Sequence, residues 1–366
     1  MPVLGLIVNP VAGIGGRYAL KGSDDATAIA RALAAGASPV APVRARRALR
    51  AVQPVQGLQV VAPAGAMGEE VAADADLSPA RLSHAPAAPT TAADTRAAAA
   101  ELADREVDLI LFAGGDGTAR DVVDVVGTRV PVLGVPCGVK MRSGVFGTTP
   151  ENAGDAAARF LAQPGRYPVV DGEVLDAADA ALESTLFAVA RVPDVPGRLQ
   201  HGKAARPFAD DGALAALAEA IVEEMEPERT YLLGPGTTTG RIMAALGLVS
   251  TPLGVDAVRD GALVASDLDE EGLLRLLDGG PATLILGVIG GQGFLLGRGN
   301  QQLSARVVRK LGVDNVVIVA GPSKVAALDP PVLHVDLGED EQDRLLDGYR
   351  RVRVAPGESI VMRVAS

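Results

Sequence analysis

The sequence predicts an α/β chain built on a parallel sheet, with a second part of different character after Pro164-Gly165. Three observations predict it. Strand-length apolar runs alternate with Ala-rich stretches of helical spacing between residues 3 and 161, the pattern of a sheet covered on both faces. Glycine-rich turns follow two of those runs, at 9–16 and 114–118. Ala and Gly supply much of the 48% hydrophobic fraction while aromatics make up only 3%, and small side chains suit close helix–sheet packing and backbone approach to a ligand.

The elements follow in order. Residues 3–8 read as a buried strand ending in Asn9-Pro10-Val-Ala-Gly13-Ile-Gly15-Gly16. A second strand spans Leu58 to Ala62 and an Ala-rich helix Ala92 to Arg105. The strand Val107 to Phe112 runs into Gly114-Gly115-Asp116-Gly117-Thr118, then a helix over Ala119 to Val126 and a strand from Pro131 to Val135. After the irregular segment CGVKMRSGVFGTT comes a helix from Pro150 to Leu161. A domain boundary at Pro164-Gly165 divides the chain into 1–164 and 165–366. Beyond it, Tyr167 to Leu175 and Ser184 to Val192 read as paired strands, followed by short strands and helices.

Composition removes several function classes. With 34 basic against 45 acidic residues the formal charge is -11, which disfavours nonspecific attraction to nucleic acid or an anionic membrane. Cys137 is the lone cysteine, and His84, His201 and His334 are scattered, so no zinc-ligand spacing exists. No leader pattern and no membrane-length apolar run occur, and the chain reads as cytoplasmic. Its small-residue strands are compatible with a homo-oligomer without demanding one. Arg44, Arg46, Arg47 and Arg50 make one basic run, which reads first as a solvated helix face and only second as a patch for an anionic substrate.

The turn at 114–118 poses the chemical question. A glycine turn opening a helix collects backbone N–H groups and the positive helix end, a phosphate cradle, yet Asp116 repels phosphate. It therefore holds Mg²⁺, accepts a proton from an attacking hydroxyl, or merely caps the helix. In a parallel sheet both glycine turns lie at carboxyl strand ends, where one crevice can hold both. The near P-loop at Gly197 to Ala204 fails for want of a final hydroxyl and of a strand leading in. Leu232 to Arg241 places Thr237, Thr238 and Thr239 at a helix start, as phosphate ligands or as a cap with two bystanders. A third glycine cluster, Gly287 to Gln302, implies backbone pressed against a ligand or against another part of the fold.

In sequence order, Asn9-Pro10 with Gly13, GGDGT at 114–118, GVPCGVKMRSGVF, GPGTTTG at 234–240 and GGQGFLLGRGNQQ resemble the NAD kinase superfamily, more narrowly the ATP-NAD kinase branch that includes acetoin-catabolism X proteins. The resemblance covers nearly the whole chain. It implies a Rossmann-like N-terminal α/β domain, a β-rich mixed C-terminal domain of NAD kinase type and an active site between them. The implied reaction moves a phosphoryl group from ATP or polyphosphate, with Mg²⁺, to the adenosine-ribose 2′-hydroxyl of NAD, giving NADP. By the same resemblance Asp116 engages the acceptor ribose as general base, the carboxylate also available to Mg²⁺. Gly114, Gly115 and Gly117 let backbone approach phosphate, Thr118 adds a hydroxyl, and Thr237, Thr238 and Thr239 stand near phosphate in the second domain. Asn9, Gly13 and Lys140 are further candidates for nucleotide and phosphate contacts; Lys140, Arg142 and Arg298 are candidate partners for developing charge, each of them at least as readily a solvated surface cation. One departure concerns the acceptor: where conventional members carry an Asn-Glu or Asn-Asp pair, this chain reads Ala-Ala-Leu-Glu183-Ser-Thr. NAD leads, and another hydroxylated metabolite, a lipid acceptor of the diacylglycerol kinase type, or a nonenzymatic nucleotide sensor are the alternatives.

Overall fold

The computed structural model describes residues 1–14, 34, 36–138, 141–177, 184–200, 210–289, 293–328, 330–337 and 344–365. By their contacts these residues form two compact units, one up to residue 200 and one from residue 210.

The first unit contains β1 (Val3–Val8), α1 (Ala41–Val52), β2 (Gln59–Ala62), α2 (Glu69–Ala73), β3 (Ala80–Arg81), α3 (Ala92–Asp104), β4 (Leu109–Gly114), α4 (Asp116–Val126), β5 (Val132–Pro136), α5 (Pro150–Ala162) and the strands β6 (Val169–Ala177) and β7 (Ser184–Pro193). Five strands make one sheet in the order β3-β2-β1-β4-β5, every pair parallel. Strands β4 and β5 are buried along their whole length, which is why their sequences are continuous apolar runs rather than alternating ones. The helices cover the sheet with small residues: α1 buries Ala41, Ala45, Ala48, Leu49 and Val52 at helical spacing, and α3 buries Ala98, Ala99 and Leu102. A reciprocal cap between Thr91 and Asp94 starts α3. The chain passes from β1 outward to β2 and β3, then returns to place β4 on the other side of β1, so the order reverses between β1 and β4. In open α/β sheets ligands bind outside the carboxyl ends of the strands at such a reversal.

The contact division falls between residues 200 and 210 rather than at Pro164-Gly165. The antiparallel β6–β7 hairpin stays with the first unit because Val174, Ala190 and Val192 join its core and the hairpin packs on α4 and β5.

The second unit contains α6 (Asp211–Glu223), β8 (Thr230–Leu233), α7 (Thr237–Ala245), β9 (Asp256–Arg259), β10 (Ala262–Ala265), α8 (Glu270–Leu277), β11 (Ala282–Gly287), β12 (Phe294–Leu296), α9 (Ala305–Leu311), β13 (Val316–Val319), α10 (Pro322–Ala326), β14 (Val332–Val335), β15 (Gly348–Ala355) and β16 (Glu358–Ala365). It is the β-rich mixed domain the sequence led us to expect, a nine-stranded sheet in the order β10-β9-β8-β11-β13-β15-β16-β14-β12. The run β8, β11, β13, β15 is parallel, while β9 and the β15–β16 hairpin add antiparallel pairs. Among the described residues no helix is long and apolar enough to cross a membrane.

Candidate active site

The reversal in strand order brings the two N-terminal glycine turns together. The Asn9 amide that follows β1 donates to the Ala113 carbonyl at 2.9 Å. Its side-chain Nδ2 donates to Thr118 Oγ1 at 3.0 Å, and its Oδ1 accepts from Val11 N at 3.2 Å. Asn9 therefore ties the described start of β1's turn to the first turn of α4. Gly13, at φ +79°, lies where a Cβ would come within 2.5 Å of the Cys137 carbonyl, so both its backbone angle and its neighbour demand glycine. A Cβ on Gly114 would sit 2.3 Å from Thr118 Oγ1. Gly117 is exposed with open space beside it.

Helix α4 begins at Asp116, three residues before the start expected from the sequence. Gly115 is its N-cap and Asp116 occupies its first turn, where the positive helix end favours a carboxylate. The side chain does not cap this helix. It reaches the segment beyond β5 instead: Oδ2 accepts from Arg142 N at 2.8 Å, and Oδ1 accepts from Ser143 N at 3.1 Å and from Ser143 Oγ at 2.6 Å. The capping reading is thus set aside by geometry.

Part of Asp116 reaches solvent, yet packing around its carboxyl drives the pKa upward by desolvation, partly offset by the Ser143 and Arg142 hydrogen bonds and the Arg142 charge. Carboxylates perturbed in this way cluster where protons are transferred, which makes Asp116 the candidate proton-transfer group of this turn. The first amides of α4 have no partner within the helix and are the donors this turn can present to an anion.

Two residues of the constellation escaped the sequence reading. Ser143, fully buried, carries Asp116 on one side and accepts from Leu175 N of β6 at 3.0 Å on the other. Gln200, also buried, donates through Nε2 to the carbonyls of Met141 at 3.1 Å and Ser143 at 2.9 Å. A signal was present for the first: a small hydroxyl next to glycine in a long irregular segment following the strand beside Gly114-Thr118. Gln200 gave none. Arg142 contributes its backbone amide as well as its charge.

Other expectations resolve differently. The basic patch disperses: Arg44 is buried with its guanidinium on the Pro136 carbonyl at 2.8 Å, Arg47 pairs with Glu151 at 2.5 Å, and Arg46 faces Asp74 at 3.7 Å. In the second unit Thr239 is buried and its hydroxyl donates to the Gly236 carbonyl at 3.0 Å, so it serves its own turn. Thr237 is exposed and Thr238 half-buried at the start of α7. Within the third glycine cluster, Gly297 lies where a Cβ would come within 1.7 Å of the Asp336 carbonyl, and Arg298 lies 3.4 Å from Asp336 and over the Phe294 ring. Both side chains of that pair are 2% exposed, so the described part of the cluster is pressed against the fold and Arg298 is held there by Asp336 and Phe294. Lys140, Glu183, the second half of the failed P-loop and residues 290–292 lie outside the described residues.

A family model for the ATP-NAD kinase N-terminal domain matches residues 4–167, and one for the ATP-NAD kinase C-terminal domain matches residues 226–364. The chain belongs to the NAD kinase family. Both domains of an NAD kinase-like phosphotransferase are therefore present, in the expected order. No curated protein and no solved structure gave a significant match.

Proposed function

We propose that this NAD kinase family member transfers the terminal phosphoryl group of ATP or polyphosphate to the adenosine-ribose 2′-hydroxyl of NAD, in the cytoplasm, giving NADP. One observation carries the reading: a desolvated carboxylate stands in the first turn of α4, at the strand reversal, among amides suited to phosphate. The acceptor hydroxyl gives its proton to Asp116 as its oxygen bonds to the terminal phosphorus, and the bridging P–O bond breaks to release ADP or a shortened polyphosphate. An upward-shifted pKa brings the base closer to the working pH, where proton transfer is most effective. The open face at Gly117 admits the phosphates, and Asn9 fixes Thr118 and the turn beneath them. Phosphoryl transfer needs this positioning and charge neutralisation more than covalent chemistry.

The described residues do not by themselves build a Mg²⁺ cage. Among them no three His, Cys, Asp or Glu side chains cluster as metal ligands, and Asp116 already accepts three hydrogen bonds. Mg²⁺ in this reading arrives on the donor phosphates, as is usual for this ion, and no step above runs through it.

The test is mass spectrometry of purified protein with Mg²⁺, NAD and either ATP or polyphosphate. NADP in one of the two reactions supports the reading and identifies the donor. Turnover of another hydroxylated metabolite, with none of NAD, overturns NAD as acceptor.

A further inference from the structure

Asp116 uses its two oxygens unequally. A carboxylate offers about four acceptor positions, two on each oxygen. Ser143 takes both on Oδ1, through its amide at 3.1 Å and its hydroxyl at 2.6 Å. Arg142 N takes one on Oδ2 at 2.8 Å. The remaining position is on Oδ2.

We infer that Ser143 is a positioning residue for the proposed phosphoryl transfer: by saturating Oδ1 it aims Oδ2 at the acceptor hydroxyl, so the proton moves to Oδ2. The inference rests on Asp116 being the base. The orientation of the Ser143 hydroxyl supports it. Because Oγ accepts from Leu175 N at 3.0 Å, its own hydrogen is directed to the carboxylate rather than shared with a carbonyl. Leu175 belongs to the β6–β7 hairpin, so the base is aimed from three places, the start of α4, the segment after β5 and β6. Gln200 steadies the carbonyl side of the same segment without touching Asp116. Ser143 is fully buried and sees neither solvent nor surface ions, so this geometry is set within the fold.

The test compares Ser143→Ala, Ser143→Thr and Gln200→Leu with wild type in steady-state turnover. A hydrogen bond to a charged group contributes on the order of a tenfold or greater rate factor when it orients the reacting atom. S143A is therefore expected to lower kcat about tenfold or more with KM for the acceptor within about twofold, and S143T, which keeps the hydroxyl, to restore most of kcat. Q200L loosens the segment and lowers the melting temperature, and a smaller kcat loss than in S143A separates aiming from general loosening. Equal kcat losses in S143A and S143T, or a wild-type kcat in S143A, overturn the inference while leaving Asp116 as the base. Wild-type turnover in Asp116→Asn fails the base reading itself. If S143A unfolds, Ser143→Cys, which fills the same place with a weaker donor, carries the comparison. A readout independent of turnover is the ¹³C-carboxyl aspartate resonance assigned through D116N: it moves in S143A and returns in S143T, and a resonance unmoved in S143A overturns the inference.

Discussion

Gly114 and Gly117 lie three residues apart in one turn, and the structure gives their replacement by alanine opposite signs. At Gly114 the new Cβ would meet Thr118 at 2.3 Å from Oγ1, 2.4 Å from Cβ and 2.7 Å from Cγ2. Thr118 cannot yield cheaply. It is 4% exposed, β-branched within a helix and held by Asn9 Nδ2 at 3.0 Å. Overpacking costs about 1–3 kcal/mol and loss of the Asn9–Thr118 bond about 0.5–1.5 kcal/mol, so Gly114→Ala should destabilise by about 2–4 kcal/mol. At Gly117 no atom lies within 4 Å and the residue is helical, so Gly117→Ala should gain up to about 1 kcal/mol from helix propensity. For a unit of this size 1 kcal/mol moves the transition by about 2–4 °C, which places G114A roughly 5–15 °C below wild type and G117A at or slightly above it. Differential scanning calorimetry reads both. G117A should nonetheless raise KM for the phosphoryl donor, because its methyl fills the open face over the turn. G114A melting as high as G117A would refute the packing argument, and an unchanged donor KM in G117A would refute the placement of phosphate on that face.

Three further outcomes follow from the described contacts. Asp336→Ala leaves the buried Arg298 without that carboxylate and should cost the second unit about 3–5 kcal/mol in urea unfolding. Gly154→Ala drives a Cβ to 2.1 Å from the Ala48 carbonyl where α5 crosses α1; the backbone must move, and a loss of about 1–3 kcal/mol is expected in the same assay. Glu101 is opposed by desolvation, but its bonds to the amides of Ser83 and His84 and to Arg105 outweigh this and hold its pKa down to about 2, from an ordinary 4.5. A lowered carboxyl stabilises the fold when ionised, so the stability difference between wild type and Glu101→Gln should be full above about pH 4.5 and vanish as pH falls through about 2.

What was legible in the sequence was whatever local chemistry decides. Buried parallel strands write themselves as apolar runs, and Val107 to Phe112 and Pro131 to Val135 appear as β4 and β5 within two residues at each end. Turns that need glycine show it, and Ser304 stands before its helix as the cap that accepts Val307 N. Glycine turns at two carboxyl strand ends suggested one shared crevice, but the reversal between β1 and β4 came only with the structure, and the bond from Asn9 to Thr118 joins residues 109 positions apart and depends on register. Ser143 showed in the sequence only as a hydroxyl beside glycine in an irregular segment: its two partners come from α4 and β6, and spacing carries no trace of either. The arginines of α1 make no patch, because a run of like charges in sequence points in several directions once wound into a helix; what a solvated-face reading did not foresee is that one of them, Arg44, turns into the core. The glycines around Arg298 announced backbone pressed against a ligand or against the fold, and at Gly297 and Arg298 it is the fold: their partner is Asp336, two helices and two strands further along the chain, which spacing could not name.

The most direct measurement is phosphoryl transfer by wild type and Asp116→Asn side by side, with circular dichroism confirming that both are folded. Asn matches the carboxylate in size but cannot take the hydroxyl proton, and general-base contributions are typically about 10²–10⁴-fold. A fall in kcat of that order with the fold retained is the result expected. A folded D116N protein turning over at the wild-type rate would contradict the role assigned to the carboxylate of the glycine turn.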